Sequence, residues 1–218
     1  MRVGRVRWRR VRSWPKPGET ELFPAGPRRV LLANTDPRAQ RKALDQLTPS
    51  VVVLDTMDQW IRERAGFDEV IARATVLSVS DRELALIAGH DDAPRAAAGI
   101  LAHGSRAVIV KRGAAGATLY TRSATLTAPA FPVTVVDPTG AGDALAGAFL
   151  ARLAELADLD DAALRDALTH GVAAASATVE SFGLDALVRA DRHELKRRAA
   201  WVDARSGTGQ TASLYEER

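Results

Sequence analysis

The stretch Val135-Val136-Asp137-Pro138-Thr139-Gly140-Ala141-Gly142-Asp143, running straight into the apolar segment Ala144-Leu145-Ala146-Gly147-Ala148-Phe149-Leu150, decides how the rest of this chain is read. Gly140 and Gly142 let the backbone approach a ligand with no Cβ in the way. The first free N–H groups of the helix that follows point out of its N-terminus and favour negative charge there. The combination is an anion hole. An aspartate directly behind it is out of place in a loop that only holds phosphate, because two negative groups repel. Asp143 makes chemical sense as a general base, taking the proton of an acceptor hydroxyl that attacks a phosphoryl group held by those amides. On the residues alone a plain N-cap is an equal reading, since Asp is a favoured cap and Gly commonly precedes helices. Two other phosphate motifs are excluded: a dinucleotide turn needs a third glycine where Leu145 stands, and no G-x-x-x-x-G-K-[ST] occurs in the chain.

Upstream of this loop, short β-branched runs alternate with helical segments. Residues 30–34, 50–55, 75–80 and 107–111 are apolar runs of strand length with little polar alternation, the pattern of parallel strands covered on both faces. Helices are expected between them at 37–47, opened by Asp36 and Pro37, at 81–88 before Gly89, and at 93–103 before Gly104. The β-α-β-α order predicts an α/β protein whose ligands sit beyond the carboxyl ends of the strands. After Lys111 the rhythm turns hairpin-like, with strands expected at 116–121 and 131–136 and a turn-rich segment between them. Helices follow at 143–156, 160–179 and 191–204, and the small residues of 171–179 suit a tightly packed helix. The tail 206–218 reads as frayed.

A length of 218 residues, 46% hydrophobic and 26% charged, suits a folded domain and excludes disordered and disulfide-scaffold classes. The absence of cysteine excludes thiolate nucleophiles and cysteine metal sites, and agrees with a reducing cytoplasm. The pI near 9.7 invites a nucleic-acid reading, but the charge is unevenly placed. Residues 1–29 hold nine of the 30 basic residues and two of the 27 acidic ones, so this leader carries +7 and the remainder −4. A mildly acidic body lacks the clustered Lys and Arg that phosphate-backbone binding requires, so no nucleic-acid partner is expected. The longest uncharged stretches outside the leader, 123–136 and 167–179, fall short of the roughly 20 residues of a membrane span. The leader, rich in Arg and Pro, is expected to be unstructured.

Residues 137–150, DPTGAGDALAGAFL, resemble the second signature of the PfkB carbohydrate kinase family, the ribokinase-like kinases: an Asp, two residues, then Gly-Ala-Gly-Asp. VVVLDTMDQWI at 51–61, SVSDRELALIAG at 78–89, AVIVKRGAAGATLYT at 107–121 and HGVAAASATVESFGLDAL at 170–187 are similar to family segments in the same order, and the resemblance covers about 30–205. It implies ATP-dependent phosphorylation of an alcohol group on a sugar or nucleoside. Asp143 is then the catalytic base, and the amides around Gly140, Ala141 and Gly142 form the anion hole. Asp137 shapes the loop and Thr139 lies near the nucleotide phosphates. Lys111, Gly113 and Gly116 belong to the nucleotide-binding turn, where Lys111 either pairs with phosphate or ends a strand in solvent. Glu83 organises Mg2+, although Ser80 stands where such kinases usually have Asn. Asn34, Asp36 and Asp55 end strands at the ligand edge, with capping and turn roles explaining them as well. His90, His103, His170 and His193 show no ligand spacing.

The resemblance implies a ribokinase-like fold, a central mostly parallel sheet flanked by helices, in a cytoplasmic protein, with a homodimer as the assembly to test for. The acceptor-binding portion, the lid and the first strands that such kinases carry have no recognisable counterpart in 1–29. The expectation is therefore an N-terminally truncated kinase: a leader at 1–29, a nucleotide-binding kinase domain at 30–205 and a flexible tail at 206–218. ATP binding with weak or no sugar phosphorylation is expected. A nucleotide-binding remnant or interaction protein without turnover is the alternative.

Overall fold

A computed structural model describes residues 28–210, so the leader reading for 1–27 and the end of the tail lie outside the described residues. The strands are β1 (Arg28–Leu32), β2 (Pro49–Asp55), β3 (Val76–Ser80), β4 (Ala107–Lys111), β5 (Ala117–Tyr120), β6 (Ala124–Ala128) and β7 (Gly207–Gln210). They form a seven-stranded sheet in which spatial order equals chain order. β1 to β4 are parallel, and β5, β6 and β7 continue the sheet antiparallel.

The helices are α1 (Pro37–Gln46), α2 (Asp58–Glu63), α3 (Phe67–Ile71), α4 (Asp81–Ala88), α5 (Ala93–Ala102), α6 (Ala141–Glu155), α7 (Asp161–Thr178), α8 (Asp185–Arg189) and α9 (Arg192–Asp203). Successive strand residues point to opposite faces, and this alternation splits the core in two. Val51, Val53, Val76, Ala107 and Ile109 pack under α6 and α7 with Leu145, Phe149, Leu153 and Val172. Val52, Leu54, Leu77, Val79 and Val108 pack on the other face against α1, α3, α4 and α5 through Leu44, Val70, Leu84 and Leu101. Each such fully buried aliphatic or aromatic side chain contributes about 1.5–3 kcal/mol. Side-chain caps set the helix starts: Asp36 accepts from the Arg38 amide at 2.8 Å, and Asp92, Asp160 and Asp191 cap α5, α7 and α9.

Three expectations are corrected. Residues 131–136 are not a strand. They run as an irregular strap held to α7 and α9, where the Phe131 amide donates to Ser176 Oγ at 3.2 Å and the Phe131 ring meets Trp201 edge-on at 5.2 Å. The strand beside β5 is instead β6, inside the segment read as turn-rich. The place beside β6 belongs to β7, so residues 207–210 of the supposedly frayed tail are an edge strand. Arg28 and Arg29, assigned to the leader, open β1. The short helices α2, α3 and α8 were not anticipated; each is five or six residues long, too short for a periodic signal.

α6 and α7 lie in close contact because Gly171 faces α6: a Cβ there sits 2.8 Å from the Leu145 carbonyl oxygen and 3.3 Å from Leu145 Cγ. Gly171→Ala is therefore expected to lower stability by about 1–2 kcal/mol, overpacking outweighing the gain in helix propensity. A urea-unfolding midpoint shifted down at unchanged slope checks this.

Candidate active site

The carboxyl ends of the parallel strands all open on one edge, and the sheet register decides what gathers there. Asp55 pairs with Ser78 across β2 and β3, and Ser80 pairs with Lys111 across β3 and β4. By strand alternation these four side chains share the face that lower down carries Val51, Val53, Val76, Ala107 and Ile109, the face on which α6 lies. Above the apolar layer the face becomes polar, and the N-terminus of α6 rests on it. Lys111 Nζ donates to Asp55 Oδ1 at 2.7 Å, their side chains 18% and 6% exposed. A Cβ on Gly142 would stand 3.2 Å from Lys111 Nζ, so the lysine lies directly against the first turn of α6.

The loop leading into α6 hangs from the end of α7. The amides of Val136 and Asp137 both donate to the Val179 carbonyl, at 2.7 and 3.2 Å. Asp137 Oδ1 accepts from the Thr139 amide at 2.9 Å, and this backbone bond, with a side-chain bond from the same residue, holds the Asp137 carboxyl below the usual carboxylate range. Asp137 thus holds the turn of this loop, and Thr139 is exposed beside it. Gly140 is the N-cap of α6 with φ +82°, a left-handed conformation that favours glycine, and no side chain caps the helix. The Ala141 amide turns back to Pro138 O at 3.2 Å, which withdraws it from the anion hole; Ala144 is the first to bond into the helix, to Gly140 O at 2.9 Å. The amides of Gly142 and Asp143 are the ones left at the helix mouth.

Asp143 is not the cap. It is the third residue of α6 and is exposed. Of the two readings of this carboxylate, the capping one is thus removed, and the carboxylate stands exposed on the first turn of α6.

A cleft of about 520 Å³ adjoins the loop, lined by Lys111, Gly113 and Gly116 on one side, by Pro138, Ala141 and Gly142 on another, and by the strap from Ala130 to Val135 with Val172, Ser176 and Val179 on the third. The hairpin between β4 and β5 is held by a 3-10 turn, Gly113–Ala115, with Arg112 donating to Gly116 O at 2.8 Å. Its lining is largely apolar with a few polar groups at one end, the usual constitution of a small-ligand site.

Glu83 is already employed. Its carboxylate accepts the Ser80 amide at 2.7 Å while Ser80 Oγ accepts the Glu83 amide at 3.2 Å, a capping box that starts α4. Serine, where such kinases usually carry asparagine, thus has its own structural use. Burial pushes the Asp55 carboxyl above the usual carboxylate range, Lys111 opposes this, and the charges of Asp143 and Glu83 add to it. Asp143 and Glu83 therefore lie near enough to Asp55 for their charges to act on it, with Lys111 as the cation paired to it. Among the described residues no three His, Cys, Asp or Glu side chains gather closely enough to cage a metal. The set fits instead the way Mg2+ commonly binds, through one or two carboxylates, retained waters and substrate phosphates.

Of the residues that sequence reasoning assigned to the site, Lys111, Gly113, Gly116, Ala141 and Gly142 line the cleft, Asp137, Thr139, Gly140 and Asp143 lie on the adjoining loop and first turn of α6, and Glu83 lies on α4 outside the cleft lining. Asn34 and Asp36 do not join them: Asn34 Oδ1 accepts from Trp60 Nε1 at 3.0 Å, and Asp36 caps α1 and pairs with Arg38. What sequence reasoning missed is the Asp55–Lys111 pair and the strap that walls the cleft. Pro129 and Pro132, which remove backbone donors around the strap, were the available signal against a strand there.

Residues 35–190 match the family described as pfkB family carbohydrate kinase. Among curated proteins, a cytidine kinase of Thermococcus kodakarensis is 34% identical over 122 residues, 53% of this chain and 44% of that protein. A fructokinase of Rhizobium leguminosarum bv. trifolii is 34% identical over 110 residues, 47% of this chain and 34% of that protein. The matched region is thus less than half the length of either relative. Among solved structures, aminoimidazole riboside kinase from Salmonella enterica, complexed with aminoimidazole riboside and an ATP analog, gives a TM-score of 0.61 at 28% identity over 72% of this chain and 55% of that one. Among the described residues no helix is long and apolar enough to cross a membrane.

Proposed function

The chain belongs to the pfkB family of carbohydrate kinases, and from that premise we propose that it carries the nucleotide cleft and phosphoryl-transfer loop of an ATP-dependent kinase acting on an alcohol group of a sugar or nucleoside. The observation that carries the reading is Asp143: an exposed carboxylate on the first turn of α6, free of any capping duty, directly after Gly140-Ala141-Gly142. The acceptor hydroxyl gives its proton to the Asp143 carboxylate as its oxygen attacks the terminal phosphorus of ATP. The bond from that phosphorus to the bridging oxygen breaks, and ADP leaves with the electron pair. The amides of Gly142 and Asp143 face the oxygens on which negative charge gathers. The apolar cleft takes the adenosine, with Gly113 and Gly116 letting the hairpin backbone come close to it. Thr139 and the loop held by Asp137 lie toward the phosphates.

Magnesium, when bound, supplies charge neutralisation between the nucleotide phosphates, and Glu83 with its remaining oxygen is the residue that would hold it through water. The acceptor class follows from the relatives named for cytidine and fructose phosphorylation. A soluble, cytoplasmic setting suits such substrates and a cysteine-free chain.

Two measurements in sequence test the proposal. ATP and ADP are expected to raise the thermal unfolding temperature of the chain. ADP release is then followed across a panel of sugars and nucleosides. Release with at least one acceptor supports the kinase; stabilisation without release on any of them makes the chain a nucleotide-binding protein without turnover, and no stabilisation at all removes the nucleotide reading.

A further inference from the structure

We propose that Arg198 is a positioning residue of the cleft: it holds Phe131 at the start of the strap and, through Glu180, the Val179 carbonyl at its end, and so fixes the wall against which the nucleotide lies. The inference rests on the reading of the cleft as a nucleotide site.

Arg198 lies on α9 and, although charged, is only 8% exposed. Three segments meet at its guanidinium. Nε donates to Glu194 Oε1 on the same helix at 2.7 Å, Nη1 pairs with Glu180 Oε2 at 2.7 Å, and Cζ stands over the Phe131 ring, 5.0 Å from its centroid. Arg197 shares that ring at 5.3 Å, with its own hydrogen bonds directed to Glu194. Phe131 begins the strap and lines the cleft. Glu180 directly follows Val179, whose carbonyl accepts the amides of Val136 and Asp137 where the strap passes into the glycine loop. One side chain thus touches the start of the strap and the residue next to the carbonyl that holds its end.

A buried arginine is a poor device for stability alone, because desolvation offsets much of the attraction and apolar residues of similar size commonly do as well or better. Its advantage is geometric. The guanidinium is a rigid planar fork that donates to carboxylates in its plane while its face lies on an aromatic ring, so it fixes groups from different segments in set directions. The anchor is firm on the helix side. Hydrogen bonds from Arg197 and Arg198 hold the Glu194 carboxyl down at about 2, so this partner stays an anion. Ala199 and Val202, on the next turn of α9, are buried. Through Arg198 the strap is therefore referred to a helix seated in the core.

The test compares the two carboxylates in the whole chain by two readouts: amide hydrogen exchange at Val136 and Asp137, with the β4 amides as internal reference, and ADP affinity by calorimetric titration in Mg2+. Glu180→Gln cuts the tie to the strap's end, and is expected to speed exchange at Val136 and Asp137 relative to β4 and to weaken ADP binding, each by about fivefold. Charge alone acts the other way, since removing a negative group favours an anionic ligand, so a loss of affinity reports the strap. Glu194→Gln removes an ion pair of the same arginine within α9, and is expected to stay within about twofold of wild type on both readouts. Arg198→Gln should match or exceed Glu180→Gln, and adding Glu180→Gln to it should change neither readout further, because Glu180 acts through the arginine. Should Arg198→Gln fail to fold, the contrast between the two glutamate variants carries the measurement. Equal effects of Glu180→Gln and Glu194→Gln overturn the proposal, as does a Glu180→Gln effect that persists in full without Arg198. Faster exchange with ADP affinity unchanged overturns the positioning role and leaves the nucleotide site intact. Wild type that does not bind ADP removes the nucleotide reading itself, and the proposal with it, whatever the exchange contrast shows.

Discussion

Asp143→Asn is expected to lower acceptor-dependent ADP release by about 10²–10⁴-fold, the usual worth of a positioned base, while nucleotide-dependent thermal stabilisation stays close to that of wild type. The substitution keeps size and polarity, and Asp143 is exposed on a helix whose cap is Gly140, so folding does not depend on its charge. Losing the carboxylate at the third position of α6 removes a favourable helix-dipole interaction of about 0.3–1 kcal/mol, small beside the catalytic loss. Single-turnover release at saturating nucleotide separates the two effects. Turnover that survives the change excludes Asp143 as the base; an equal loss of thermal stabilisation makes its role structural.

The largest loss of stability is expected at Gly116. Its φ of +89° with ψ of −132° belongs to a region essentially restricted to glycine. A Cβ there also collides with the Ala128 carbonyl oxygen, and it sits 2.6 Å from the Ala130 nitrogen and 2.8 Å from the Pro129 carbonyl carbon, all backbone atoms that cannot swing aside. Gly116→Ala is expected to cost about 3 kcal/mol or more, strain and overpacking together. ADP affinity should fall with it, because the displaced segment continues into the strap that walls the cleft. Gly113, three residues earlier, is the internal comparison: its φ is +53° but a Cβ meets nothing within 4 Å, so Gly113→Ala should cost only about 1 kcal/mol. Chemical unfolding of the two variants side by side checks the contrast; equal losses would mean that the close approach at Gly116 is not rigid.

The parallel half of the sheet is legible in the sequence because its strands are buried on both faces: 51–54 and 107–110 read as unbroken apolar runs, and 76–79 is interrupted only by the small Ser78. The loop into α6 is legible for a different reason: Gly-Ala-Gly-Asp ahead of an apolar helix combines residue types that few structural needs would place together. β6 and β7 are harder to see. β6 is a five-residue Ala/Thr strand whose alternation is masked by small side chains, and β7, Gly207–Gln210, has no apolar pattern, its strand character coming from pairing with β6. The Asp55–Lys111 pair lies beyond local reading altogether, since 56 residues separate the partners and only the register of β2, β3 and β4 brings them together. Glu83 shows the opposite difficulty: one residue in a short motif reads as a metal-organising carboxylate, while its capping duty becomes evident only once the backbone of α4 is in place.

The order of the sheet also bears on how this chain comes together in time. From β1 to β6 every strand lies beside its neighbour in sequence, so those pairings close short or moderate loops. The pairing of β6 with β7 is the exception, because α6, α7, α8 and α9 all fall between residues 128 and 207. That single long-range closure carries the largest chain-entropy cost of the sheet. The segment enclosed by it is the one that holds the glycine loop and Asp143, so the corner proposed for phosphoryl transfer lies within the longest detour the sheet's strands make.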